Sequence, residues 1–273
     1  MRQINVDELK NIQLEITDVV MKFCDEHDIY CFLNYGTLLG AVRHKGYIPW
    51  DDDIDLGMLR PDYDKFMSLF NAENTRYKFR CLENDPNCPS HCGKVFDTTT
   101  ELYEPDRKTG LKLAINIDIF VMDNAPDDDK VLKKLFIRQY IFRKLHFARI
   151  LPVSAPANGN LIKRIITRCA LLAAHIIPTS IMPKNYFAVK LLEGSKRYIS
   201  ENTKRVGWDG RAIDREKISN FIYANFEGRK YKIPSGYDEW LTTVYGDYMT
   251  PPSERDKASH HHFEAFVQDN NGE

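Results

Sequence analysis

The stretch Asn34–Lys65, NYGTLLGAVRHKGYIPWDDDIDLGMLRPDYDK, decides how the rest of the chain is read. Gly36-Thr37 opens a short helix through Leu38, Leu39, Ala41 and Val42, and Gly46 and Pro49 break it. Asp53-Ile54-Asp55-Leu56 then alternates as a strand does, and Pro61 suits the first turn of a helix reaching Phe70. Four aspartates, Asp51, Asp52, Asp53 and Asp55, crowd the edge of that strand. Like charges this close repel, so a purely structural role is costly unless cations or donors compensate. On a strand Asp53 and Asp55 point the same way, about 6–7 Å apart, a spacing that lets two carboxylates grip one divalent ion. Oxygen donors without a nearby His or Cys favour Mg2+ or Mn2+ over zinc. The plainer alternative is an acidic loop facing water. Against it stands the neighbourhood: a strand, and a helix start at Gly36-Thr37 whose free N–H groups can seat a phosphate.

Outward from this stretch, Leu9, Ile12, Ile16, Val19 or Val20 and Phe23 recur at helical spacing. Strands are expected over 29–33, 77–82, 93–96 and 111–121. In the last, Ile115, Ile117, Ile119 and Val121 make an apolar row, which puts Asn116, Asp118 and Phe120 on the other face. Asp118 is therefore the candidate third carboxylate. Asp127-Asp128-Asp129 can cap a long helix. Helices are expected over 130–149, 160–177 and 184–200, separated by Pro152–Asn160, Pro178 and Pro183. The class is α+β, a small mixed sheet flanked by helices over 1–126 and a mostly helical half over 127–273. One continuous domain is the alternative.

The chain has 273 residues, and its 38 Lys+Arg nearly balance 39 Asp+Glu. With 15 Phe, 14 Tyr and 3 Trp it has core material enough to exclude low-complexity disorder. The balance hides an asymmetry: residues 130–192 contain twelve Lys or Arg and no acid, leaving 26 basic against 39 acidic residues elsewhere. The longest uncharged apolar run, Cys169 to Ile177, is about half of a membrane-spanning helix. Acids in the first eight residues argue against a secretory signal, so the six Cys read as reduced thiols of a cytoplasmic protein.

The run from Gly36 through Asp55, GTLLGAVRHKGYIPWDDDID, resembles the signature of the LicD family, which includes bacterial phosphocholine transferases and is related to the fukutins. The resemblance continues through Lys94-Val95-Phe96-Asp97, Ile117-Asp118-Ile119-Phe120 and Tyr245-Gly246-Asp247-Tyr248-Met249-Thr250-Pro251-Pro252. It implies a nucleotidyltransferase-like fold, with the C-terminal motif packing back on the core. It also implies transfer of phosphocholine, or another phospho-alcohol such as ribitol phosphate, from a CDP-linked donor such as CDP-choline. The acceptor would be a sugar hydroxyl of a surface glycan (lipopolysaccharide, teichoic acid or capsule), and CMP would leave. Asp53 and Asp55 resemble the paired Mg2+ (or Mn2+) ligands and Asp118 the third carboxylate. Thr37 stands where the broader superfamily has Ser, and the gap to Asp53 is long, so Asp51 stays open as a ligand in place of Asp53. Gly36, Thr37, Arg43, His44, Lys45 and Lys94 are the candidate phosphate and donor contacts. Tyr35, Tyr47 and Trp50 are the candidates for an aromatic cage around choline.

Two other readings remain: a nucleotidyltransferase using a nucleoside triphosphate on a small hydroxylated substrate, and a non-catalytic membrane-surface scaffold. Residues 161–182, basic at the start and then apolar, suit a peripheral contact at the inner face of a membrane, a core helix, or a contact with a lipid-linked or otherwise anionic glycan acceptor. No nucleic-acid motif accompanies the charge, so no nucleic acid is expected. Cys81, Cys88, His91 and Cys92 lack a usual structural zinc spacing and read as free thiols in a loop, and His260-His261-His262 read as surface residues.

Overall fold

The computed structural model describes residues 1–85, 88, 90, 92–103, 113–150, 160–176, 194–200, 212–253 and 264–268. The helix α1 (Val6–Glu26) begins with a capping box, the Asn5 side chain accepting from the Glu8 N–H and Glu8 answering at the Asn5 N–H. Short strands β1 (Arg2–Ile4) and β2 (Cys31–Leu33) flank it, and α2 (Tyr35–Arg43) follows β2 directly. Then come β3 (Asp55–Leu59), α3 (Arg60–Glu73), β4 (Tyr77–Arg80), β5 (Gly93–Asp97), β6 (Thr100–Tyr103) and β7 (Asn116–Ala125).

The central sheet runs β2-β3-β7-β5-β4, with β3 and β7 parallel and the other pairs antiparallel. The ten residues of β7 are shared: β3 takes one edge, and the other is divided between β5 and β8 (Arg197–Ser200). Its row Ile115, Ile117, Ile119 and Val121 is wholly buried. Phe23 of α1 meets Phe66 and Phe70 of α3 edge-on, joining the two helices into one packed layer. On the opposite side of β7, Phe120 meets Tyr35 at the start of α2. The arrangement is α+β.

The helices α4 (Asp129–Ile150) and α5 (Leu161–Ile176) lie where helical periodicity places them. The helix expected over 184–200 does not reach its end. Residues 184–193 lie outside the described set, and Arg197–Ser200 is a strand because its backbone completes the free half of β7, with Tyr198 buried. β9 (Ala212–Asp214) extends that edge, and α6 (Arg215–Ser219) follows. A hairpin of β10 (Phe221–Phe226) and β11 (Arg229–Pro234) turns on Glu227-Gly228, both at positive φ, then α7 (Tyr237–Tyr245) packs on α2. The last strand, β12 (Glu264–Val267), lies between β1 and β6, tying the two ends of the chain together. His91, residues 177–182 and His260–His262 lie outside the described residues. Among the described residues no helix is long and apolar enough to cross a membrane.

Candidate active site

Register sets the site. Asp55, first residue of β3, lies directly opposite Asp118 on β7, and Asp118 lies opposite Lys94 on β5. Residues facing each other across neighbouring strands, about 4.8 Å apart, present side chains on the same face of the sheet. Two carboxylates and an ammonium, far apart in sequence, thus form one row. Lys94 makes an ion pair with Asp118 Oδ1 and donates to Asn116 Oδ1 at 2.9 Å. The Cys92 thiol donates to the other oxygen, Asp118 Oδ2, at 3.2 Å. Both oxygens of Asp118 are therefore held.

The acidic run closes on this row from the α2 side. Asp53 precedes β3 instead of lying in it, so the strand geometry expected for the Asp53/Asp55 pair applies to Asp55 alone. Asp51 comes back to the head of α2: a Cβ built on Gly36 would stand 2.7 Å from Asp51 Oδ2 and 3.6 Å from Asp55 Oδ2. A side chain at this position would displace the Asp51 carboxylate from the head of α2 and leave Asp55 in ordinary contact. Gln13, buried on α1, donates to the Asp52 carbonyl at 3.0 Å and fixes the loop. Burial, followed by the charges of Asp53, Asp118 and Asp51, pushes Asp55 well above the usual carboxylate range, and the Gly36 N–H only partly opposes this.

The helix start serves the carboxylate as much as it serves any ligand. The Gly36 N–H donates to Asp55 Oδ2 at 3.2 Å, and Thr37 Oγ1 accepts from the Asp55 N–H at 2.8 Å. The N–H group of Gly36, expected to seat a phosphate, is thus engaged within the chain, because Asp55 is the nearer anion. Asn34 and Trp240 went unassigned in the sequence reading. The Asn34 Oδ1 accepts from the Tyr35 N–H at 2.9 Å and from Trp240 Nε1–H of α7 at 2.8 Å. Its Nδ2 is buried without a hydrogen-bond partner. An orphaned donor at the head of α2, beside a residue at positive φ (Tyr35, 40°), is the kind of cost that functional sites carry. Asn immediately before a helix start is a familiar capping signal, and it was available in the sequence.

The other sequence candidates are placed elsewhere. Arg43, His44 and Lys45 lie at the far end of α2, roughly 10 Å along the helix from Gly36. There Arg43 Nη1 donates to the Tyr248 carbonyl at 2.6 Å, binding the C-terminal motif to α2, and Lys45 donates to the Val42 carbonyl at 3.1 Å. Burial, then the Arg43 charge, lowers the pKa of His44. Each of the three aromatic candidates packs against other rings of the chain. Tyr35 is buried against Phe120 and Trp240; Tyr47 packs on Phe226 with the Lys10 ammonium over its ring; Trp50 meets His44 edge-on.

Among the described residues no three His, Cys, Asp or Glu side chains converge into an arrangement that would enclose an ion as they stand. The donor set is nonetheless all-oxygen and negatively charged, and its buried member is pushed toward protonation by burial and then by its neighbours. Mg2+ is commonly held by one or two carboxylates and completed by water and substrate phosphates, which this set fits.

The family described as LicD/FKTN/FKRP, nucleotidyltransferase domain, matches residues 28–141, a span holding the whole row. Over 272 residues the chain is 32% identical to the lipopolysaccharide cholinephosphotransferase LicD of Haemophilus influenzae, covering 98% of this chain and 100% of that protein. An uncharacterised protein of Caenorhabditis elegans is 33% identical over 108 residues, 40% of this chain and 24% of that one. An uncharacterised protein of Rickettsia typhi is 33% identical over 72 residues, 26% of this chain and 23% of that one.

Proposed function

The chain belongs to the LicD family, and from that premise we propose that it moves phosphocholine, or a closely related phospho-alcohol, from a CDP-linked donor to a sugar hydroxyl of lipopolysaccharide or a similar surface glycan. The observation that carries the reading is the row Asp55–Asp118–Lys94, with Asp51 and Asp53 gathered beside it. Such a set suits in-line phosphoryl transfer. The acceptor oxygen bonds to the phosphorus that carries choline, the bond from that phosphorus to the bridging oxygen breaks, and CMP leaves with the electron pair.

Asp118, held by Lys94 and Cys92, would orient the acceptor hydroxyl and take its proton. Lys94, on the same row, offers positive charge toward the transferred phosphoryl group. Asp55, with Asp53 or Asp51, would hold Mg2+ or Mn2+. When bound, the ion would neutralise the charge of the donor's phosphates and of the leaving CMP. Of the three aromatic candidates Tyr35 is buried while Tyr47 and Trp50 are half-buried, and Trp50, next to Asp51 in the chain, is the one we assign to a quaternary ammonium.

The experiment is CMP release from CDP-choline, CDP-ribitol and CDP-glycerol with Mg2+ and a surface-glycan acceptor. Wild type is compared with Asp51→Asn, Asp53→Asn, Asp55→Asn and Asp118→Asn. One donor should release CMP, and Asp55→Asn and Asp118→Asn should each lower the rate by about a thousandfold. Of Asp51 and Asp53, the ligand is the one whose variant shifts the Mg2+ requirement. Pyrophosphate release from a nucleoside triphosphate, with no CMP from any of the three donors, would overturn the reading.

A further inference from the structure

Helix α5 turns its apolar side away from the protein. Thr167, Leu171 and Ala174 form the inward stripe; Leu171 and Ala174 are buried, and Arg149 of α4 donates to the Ala174 carbonyl at 3.5 Å. At about 100° per residue, Leu161, Ile162, Ile165, Ile166, Leu172 and Ile176 fall on the opposite side, where each is between 50% and 80% exposed. A helix packed on a globular protein ordinarily has the reverse arrangement, with its apolar stripe toward the core. Singly scattered apolar side chains need no explanation, but six on one side of a sixteen-residue helix do.

The borders of this row are basic. Arg164 and Arg168 run along one side of it and Lys163 along the other, and no acid occurs anywhere in residues 130–192. The neighbouring α4 adds exposed Lys133, Lys134, Arg138 and Lys144. A second copy of the chain is a poor occupant, since an acid-free basic surface would meet its own like. An apolar row between cationic borders complements acyl chains below anionic headgroups. We infer that α5 lies in the surface of a bilayer containing anionic lipid, with Leu161 to Ile176 among the acyl chains and the flanking Lys and Arg at the headgroup phosphates. This surface is separate from the carboxylate row and stands or falls apart from the donor reading.

Cys169 lies on the same side as the row and is the one exposed cysteine of the six, so it accepts an environment-sensitive fluorophore in the otherwise unaltered chain. The labelled protein is mixed with phosphatidylglycerol/phosphatidylethanolamine vesicles and, separately, with phosphatidylcholine vesicles, and unlabelled protein is co-sedimented with both. Binding and a blue shift are expected with the anionic vesicles alone, weakening as salt rises. The triple variant K163Q/R164Q/R168Q should bind about fivefold more weakly for each charge removed. The variant I162Q/I165Q/I166Q should lose the blue shift; its changes are at exposed positions, and circular dichroism checks its fold. If that variant misfolds, the charge variant and the salt dependence carry the test. Wild type that binds neither vesicle, or binds both equally, would overturn the inference. So would a wild-type dimer that I162Q/I165Q/I166Q converts to a monomer. CMP release with a lipid-free oligosaccharide acceptor should be unchanged in both variants, which separates failure here from failure of the proposed reaction.

Discussion

The parallel pair β3 and β7 carries a cluster of charge at each end, and the two clusters are built on opposite plans. At the far end Arg60, first residue of α3, donates Nε and Nη2 to the two oxygens of Asp123 at 2.6 and 2.8 Å. Its Nη1 reaches Glu83 at 2.6 Å and Asp64 at 3.2 Å. Burial works against the guanidinium's charge, but the bonds and charges of Asp123 and Glu83 outweigh it and raise its pKa. At the near end burial and three like charges act together on Asp55, and the Gly36 N–H is a weak answer. In one cluster the buried charge is met by opposite charges in direct contact; in the other the buried Asp55 is surrounded by like charges and answered by a backbone N–H. Both are charged and buried on the same two strands, so charge by itself does not mark a site. The sign of the neighbouring charges does.

The largest stability effect belongs to the Arg60 cluster. Arg60→Met leaves Asp123 and Glu83 buried with their shared cation gone, and should cost about 3–5 kcal/mol in urea unfolding. A loss below about 1 kcal/mol would show that the cluster is not a closed unit, and the contrast with the other end would fail.

At the other end the sign reverses. Asp55→Asn should lower the rate about a thousandfold while raising the stability of the metal-free protein. The folded-state pKa of Asp55 lies above its unfolded value of about 3.9. Stability from the protonated form is therefore full below about pH 4 and is lost as pH rises through the folded pKa. The variant should melt higher than wild type at pH 8 in EDTA and equal to it near pH 4. Each kcal/mol gained is worth about 2–4 °C in a chain of roughly this size. Adding Mg2+ should raise the wild-type melting temperature and leave that of Asp55→Asn nearly unmoved. A variant that melts lower at pH 8 would place Asp55 among the structural carboxylates.

Such a structural carboxylate is already present in Asp97, inside one of the family-like motifs. It is fully buried, yet bonds from Arg76 and Thr99 outweigh burial and lower its pKa. Sequence could not separate Asp97 from Asp118, since both sit in strand-like, apolar surroundings. Only their partners do. The Asp53–Asp55 run, the Gly36 helix start and the alternation around Asp118 were legible because they are local patterns with a period. The row itself was not, because Lys94 meets Asp118 through the antiparallel register of β5 on β7, and register depends on the whole sheet. The same reason hid β8, whose strand form is set by the free half of β7. The hairpin at Glu227-Gly228 was readable in principle, since a Gly turn between alternating strands carries its own signal. Arg43, His44 and Lys45 looked adjacent to the acidic run, but α2 carries them about one helix length from its head.

The smallest expected effect tests how the row is held. Asp118 is gripped unequally, with the Lys94 ammonium at Oδ1 and the Cys92 thiol at Oδ2. A hydrogen bond from a weak S–H donor contributes about 1 kcal/mol, or roughly fivefold in rate where it fixes a reacting group. Cys92→Ala should therefore lower kcat about fivefold with KM little changed. Cys92→Ser keeps a donor at the same position and should stay within about twofold of wild type. Cys92 is also buried, so removing its sulfur leaves a small void whatever its role toward Asp118. Ser leaves nearly the same void as Ala but restores the donor. If the thiol only fills space, both variants should melt lower and share one kcat. If it aims Asp118, their melting temperatures should fall together while their kcat values part.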